Sequence, residues 1–306
     1  MSGGYVHITL VQEAIEEAIY RRPGLLHDDA RRALGLWKKF CIVGAVSPDY
    51  PYLDITSSDS AAWADSMHKE HALELLRSGI AKLRGMENDN VRQKCMAWLF
   101  GFASHVATDG TIHPIVNIKV HGAYEQHKTE HRRCEMSQDV YAQRRLNLGA
   151  ISYNRQISYN IINCSDGDND HRMDPDVAQL WQDMLTSIYA GHPAPQIHDW
   201  HRAMRIMMSL AQSSTKLVPF MRHVAANAAL VYPDDPDQQY IQDLSTPFAG
   251  KTMGFEEIYR KAFGNTLDLW GWMSLSLQNR PSVLDALASW SLDSGVDVNG
   301  RMTYWS

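Results

Sequence analysis

Three side chains of ligand type follow one another at four-residue intervals in the middle of the chain: His105, Asp109 and His113, directly after the apolar stretch ending Gly101-Phe-Ala-Ser. On a helix, residues four apart share a face about one turn apart. Imidazole and carboxylate on one such face is the donor set of zinc. A single histidine in an apolar helix is ordinarily a hydrogen-bonded core residue. An aspartate there is costly unless it is paired or binds a metal, and Asp109 therefore marks the segment. Pro114 follows at once, so the helix is expected to end or bend around His113.

A second group lies downstream, where His127, His131, Glu135 and Asp139 recur every four residues along one helix face. Such a stripe could be a solvated face carrying i,i+4 pairs. It also contains His131 and Glu135 as a nitrogen–oxygen ligand pair. Upstream, Asp49 sits on the Pro-flanked turn Gly44-Ala-Val-Ser-Pro-Asp49, where Pro-Asp is also ordinary turn chemistry. His68 and His71 lie three apart on an expected helix, with His68 the preferred ligand. His7 precedes the periodic run Ile8–Ile19. Nine of the fourteen histidines fall between His7 and His131, the asymmetry an N-terminal metal site would leave.

The elements that must carry these residues read as helices. Helical periodicity marks segments near 8–21, 28–43, 59–84, 89–109, 122–145, 176–190, 196–213, 218–231, 254–278 and 281–292. Asn88 and Asp174-Pro175-Asp176 are start signals, and Pro281 is read as opening the last helix. Only Ile151–Ile162 is ambiguous between helix and strand. Prolines 48 and 51 force a turn, while 165–174, 232–237 and 293–306 read as irregular. The expectation is an all-α fold, a single domain over 1–306, with a metal-binding core about 5–140 and a helical remainder, 141–306, completing a cleft.

Composition narrows the function. At 44% hydrophobic and 21% charged the chain is an ordinary globular one. A net charge of −6 argues against a stable nucleic-acid partner. The four cysteines are scattered without a C-x-x-C pair, so neither a disulfide framework nor a thiolate zinc site is indicated. No apolar run of membrane-spanning length and no secretory leader is read, which makes a cytoplasmic location the expectation. Three further features receive bland readings. His198 and His201 are expected to face solvent or cap a neighbour. The acids of 166–170 lack the glycine and distal glutamate of a calcium loop. Met204, Met207, Met208, Trp270 and Trp272 are expected in the core.

Taken in order, His7, Asp49, His68, His105, Asp109, His113, His131 and Glu135 resemble the ligand set of the zinc-dependent phospholipase C family. Its broader fold group includes fungal single-strand nucleases and a glycosylphosphatidylinositol-specific phospholipase D branch. The likeness rests on Val6 to Ile15, on Gly44 to Asp49, and on His105-x3-Asp109 continuing to His131-x3-Glu135, about residues 5–140. The short spacing from Asp109 to His113 is similar to the phospholipase D branch. The resemblance implies two or three zinc ions at the bottom of a cleft in an all-α fold. Asp49, His68, His105 and Asp109 would hold one ion. Asp109 would bridge to a second that His7 also binds. His113, His131 and Glu135 would hold the third; His127 is the other candidate histidine, and His131 is preferred because Glu135 follows four residues later.

The expected activity is hydrolysis of a phosphodiester or phospholipid-like substrate by metal-activated water, with Asp49 aligning the water or taking its proton. The expected partner is a small-molecule or lipid phosphoester. Two alternatives are carried: a single-strand nuclease of the same fold, and a repurposed metal protein with lyase, cyclase or non-hydrolytic binding function, since a fold does not fix a reaction.

Overall fold

The computed structural model describes residues 3–54, 57–122, 124, 126–146, 156–213 and 232–305. Twelve described α-helices run α1 Gly4–Glu16, α2 Asp28–Leu36, α3 Lys38–Gly44, α4 Tyr50–Leu53, α5 Ser58–Lys69, α6 Ala72–Arg84, α7 Asp89–Lys119, α8 Lys128–Arg144, α9 Gln156–Ile162, α10 Pro175–Ile188, α11 Ile197–Ser213 and α12 Phe255–Leu277. A π-helical turn, Glu17–Arg21, extends α1, and a 3-10 turn, Ser47–Asp49, leads into α4. The described strand content is one antiparallel pair, β1 Leu244–Ser245 with β2 Thr252–Met253, in which Leu244 faces Met253. The fold is all-α, as the periodicity implied, and the ambiguous stretch ends in a helix, α9.

The central element is α7. Asn88 caps it, its Oδ1 accepting from the amides of Asn90 at 3.1 Å and Val91 at 3.3 Å. From Cys95 to Val116 every side chain is buried. A helix buried on all sides belongs in the middle of a packed structure, and α2, α3, α6, α10 and α12 surround this one. Two glycines set the closest approach. A Cβ on Gly101 would overlap the Cys41 carbonyl, and one on Gly44 would overlap the Trp98 carbonyl, so α3 and α7 meet backbone to backbone. Trp98 Nε1 donates to Ser47 Oγ at 2.9 Å, and Trp270 Nε1 of α12 donates to the Phe100 carbonyl at 2.7 Å. Buried apolar side chains from Val6 to Trp305 form one contiguous cluster.

Several expectations are corrected. Pro114 neither ends nor interrupts α7, which continues to Lys119. Proline removes the bond to the carbonyl four residues back. Here that residue is Gly110, whose carbonyl faces Gly295 instead: a Cβ on Gly295 would stand 2.9 Å from it and 2.8 Å from the Pro114 ring. The expected helix over 281–292 is only the 3-10 turn Val283–Asp285, capped by Ser282. The Arg77 guanidinium takes the carbonyls of Leu284 and Leu287, at 2.6 and 2.5 Å, which a continuing helix would use. The span 59–84 breaks at His71, whose φ of 58° is left-handed, and 28–43 breaks at Trp37. His201 is fully buried rather than solvent-facing; its Nε2 lies 2.9 Å from Ser165 Oγ, and burial pulls its pKa down to about 4. The expected helix over 218–231, and the side chains of Met207 and Met208, lie outside the described residues.

Candidate metal centre

Four stretches of backbone converge on the carboxylate of Asp109. α7 brings His105, Asp109 and His113 on successive turns. The first turn of α1 brings His7, the 3-10 turn after α3 brings Asp49, and the last turn of α5 brings His68. His7, His68, His105 and Asp109 are fully buried, whereas the Asp49 side chain is 17% exposed and so stands at the open edge.

The two oxygens of Asp109 face different histidines. Oδ1 lies 3.1 Å from His7 Nε2 and 3.4 Å from His113 Nε2. Oδ2 lies 3.0 Å from His105 Nε2 and 3.5 Å from His68 Nε2. Asp49 Oδ1 adds a second carboxylate, 3.2 Å from His68 Nε2 and 3.9 Å from His105 Nε2. The rings of His7 and His105 stack with centroids 4.2 Å apart. Two triads, His7–His105–Asp109 and Asp49–His68–His105, present one donor atom each within 4.8 Å of one another. Donors about 2.0–2.2 Å from one tetrahedral zinc stand about 3.4 Å from each other, so these separations suit shared ions.

Hydrogen bonding assigns the ring nitrogens. His68 Nδ1 lies 2.8 Å from the Ala64 carbonyl and His105 Nδ1 lies 3.0 Å from the Ala45 carbonyl. A carbonyl only accepts, so Nδ1 carries the proton in both rings and Nε2 turns toward the carboxylates. This is the arrangement metal-binding histidines adopt. His7 Nδ1 and Nε2 and His113 Nε2 are buried without a hydrogen bond of acceptable geometry among the described residues. Orphaned ring nitrogens around a buried carboxylate fit a cation.

Electrostatics agrees. Burial would raise the Asp109 carboxyl, but His113, His105 and His7 hold it well below the usual carboxylate range. Burial likewise opposes ionisation of Asp49, and His105 and His68 overcome it. For His68, burial works downward, yet hydrogen bonds to Asp109 and Asp49 push its pKa up to about 10. His105 goes the other way, lowered chiefly by burial. The cluster thus holds concentrated negative charge that one protonated histidine partly balances and that a divalent ion would balance better.

The remaining expected ligands stand apart from these triads. His131 Nε2 donates to the Gly122 carbonyl at 2.9 Å, leaving Nδ1 unprotonated as the atom that could ligate a metal, 3.7 Å from Glu135 Oε1. Both residues are buried, so their face of α8 is no solvated stripe. Among the described residues no triad includes His113, His131 or Glu135. His113 is instead placed against Asp109, with Nδ1 3.6 Å from Asp293 Oδ1. His71, the companion of His68, is half-exposed and outside the cluster.

Two residues support the site in ways the sequence did not indicate: Asp139, seen there only as part of a stripe, and Asp293. Asp139, on the stripe of α8, caps a different helix: its Oδ1 accepts the Val6 amide at 2.7 Å and its Oδ2 accepts the Tyr232 hydroxyl at 2.7 Å. It stands in for the cap that α1 lacks at Gly3 and so fixes the turn that carries His7. Its carboxylate occupies the place a side chain at position 3 would need. The four-residue period pointed to the α8 face but not to this use of it. Asp293 carried no periodic signal at all.

Fold and site together define an all-helical protein with a buried histidine–carboxylate cluster suited to divalent metal. The family model described as zinc dependent phospholipase C matches residues 6–191, more than half of the chain. The chain belongs to the zinc-dependent phospholipase C family, a family of hydrolases, and membership implies a zinc phosphoesterase. No curated protein and no solved structure matches it.

Proposed function

We propose that this protein hydrolyses a phosphodiester, with phospholipid-like substrates included in the class, at zinc ions held by His7, Asp49, His68, His105 and Asp109. The observation that carries the reading is Asp109, with one oxygen facing His7 and His113 and the other facing His68 and His105. Asp109 and the side chains around it would hold zinc there. Zinc bound there supplies a water of lowered pKa and an electrophile for a phosphoryl oxygen. His113 would add to the ion on its side of Asp109, and His131 with Glu135 would hold a third. The same reading treats 1–306 as one domain, because residues beyond the matched part contribute to the same core.

The chain's own residues divide the work. His68 and His105, with Nδ1 tied to backbone carbonyls, keep fixed ring planes. Asp49 lies at the open edge and is ionised, so it can accept a proton from the attacking water. Among the described residues no helix is long and apolar enough to cross a membrane.

Asp49→Asn tests the assignment. The variant keeps an oxygen donor for the metal but loses the base. Hydrolysis of bis(p-nitrophenyl) phosphate should fall about 10²–10⁴-fold with most zinc retained. Undiminished hydrolysis would remove Asp49 from the mechanism. Parallel assays with a lipid phosphodiester and with single-stranded DNA decide the substrate class.

A further inference from the structure

A metal-binding histidine works as a pair of nitrogens: one meets the ion, and the other is held by an acceptor that sets tautomer and ring plane. For His68 and His105 the acceptors are the carbonyls of Ala64 and Ala45. His113 turns Nε2 toward Asp109 Oδ1, so its Nδ1 needs an acceptor as well. The group that faces Nδ1, at 3.6 Å, is the Asp293 carboxylate. Asp293 lies about a hundred residues beyond the part of the chain that the family model matches.

Its placement is built, not incidental. Residues 291–296 form a tight turn in which the Ser291 amide donates to the Val296 carbonyl at 3.0 Å and the Gly295 amide donates to the Ser291 carbonyl at 2.8 Å. The turn is stitched to two of the helices that carry ligands, α5 and α7. The Leu292 amide donates to the carbonyl of His68 itself at 2.6 Å. Asn117 Nδ2, one turn beyond His113, donates to the Asp293 carbonyl at 2.6 Å. Gly295, with φ of 68°, lies against the Pro114 ring and the Gly110 carbonyl that proline leaves without its usual partner. The proline that α7 tolerates and the glycine of the turn are thus two halves of one docking contact. That contact delivers a carboxylate to His113.

We propose that Asp293 is a positioning residue of the metal centre: it accepts the Nδ1 proton of His113, keeps Nε2 aimed at the ion beside Asp109 Oδ1, and makes the C-terminal turn part of the site. The 3.6 Å separation is that of an ion pair. The inference rests on the metal reading above, and its test keeps the two apart.

The experiment is zinc titration of the apo full-length protein against a chromophoric chelator, for wild type, Asp293→Ala, Asp293→Asn, His113→Ala and the His113→Ala/Asp293→Ala double variant. Failure of the wild type to take up zinc would overturn the metal reading itself. With zinc bound by the wild type, Asp293→Ala should weaken one ion about 10–100-fold and leave the rest unchanged. Asp293→Asn keeps an oxygen acceptor and should recover much of that loss; it carries the test should the alanine variant not fold. In the His113→Ala background, Asp293→Ala should cost almost nothing further. Wild-type affinity in both Asp293 variants, or an equal loss whether or not His113 is present, would overturn the proposal, since a general structural role would act equally in both backgrounds.

Discussion

Gly101→Ala adds one methyl group where α3 and α7 touch. That methyl would overlap the Cys41 carbonyl and stand 2.9 Å from the Ala45 amide. Neither neighbour is a side chain that can rotate away, so the helices must separate. Overpacking of a core costs about 1–3 kcal/mol, and contact with rigid backbone places this case at the upper end. Alanine gains about 1 kcal/mol of helix propensity over glycine. The net expectation is a loss of about 2 kcal/mol, some thirty-fold in the folding equilibrium. The damage should also reach the metal centre. Ala45 supplies the carbonyl that holds His105 Nδ1, and Asp49 follows a few residues later. Removing such outer support costs about 10–100-fold in metal affinity. Urea unfolding of the apo protein and chelator competition for zinc measure the two effects. Gly264→Ala is the control: it lies within α12 with nothing within 4 Å of its Cβ, and it should stabilise by up to about 1 kcal/mol. A Gly101→Ala protein that gains stability as Gly264→Ala does, or holds zinc as tightly as wild type, would refute the argument.

Two further predictions concern protons. His68, with a pKa of about 10 in the apo protein, lies above its unfolded value near 6.5. Its protonation therefore stabilises the apo fold fully below about pH 6.5, and that contribution is lost as pH rises through 10. Zinc needs the neutral ring, so calorimetric titration at pH 8 in buffers of different ionisation enthalpy should register proton release that His68→Gln lacks; equal release by both would contradict the assignment. Asp139 shows the opposite linkage. Burial, opposed by the Tyr232 and Val6 hydrogen bonds, raises it to about 7. The folded state keeps a proton that the unfolded chain gives up above about pH 4, so its ionisation costs stability that grows up to pH 7. The melting temperature of Asp139→Asn relative to wild type should rise between pH 5 and 8, and a flat difference would count against this account.

The parts of the site legible in the sequence were those with local causes. An aspartate within the apolar run of α7 had to be paired or bind metal, and its four-residue spacing from His105 put both on one face. Asn88 and Asp174 cap α7 and α10 as short-range rules predict. Missed features depend on partners far along the chain. Pro114 is tolerated because Gly295 meets the Gly110 carbonyl, and the helix expected over 281–292 loses its carbonyls to Arg77. Asp139 caps a helix that begins more than 130 residues before it. Asp293 belongs to a turn with no periodicity, so nothing short of tertiary structure puts it against His113.

The central claim is that Asp109 joins two metal sites. The direct measurement is crystallography of the zinc-loaded protein with anomalous differences collected on both sides of the zinc edge. The account predicts at least two zinc peaks flanking Asp109, one within coordination distance of His7 Nε2 and the other within that distance of His68 and His105 Nε2. Zinc found only away from Asp109, or a single ion that leaves one of its oxygens without metal, would contradict it.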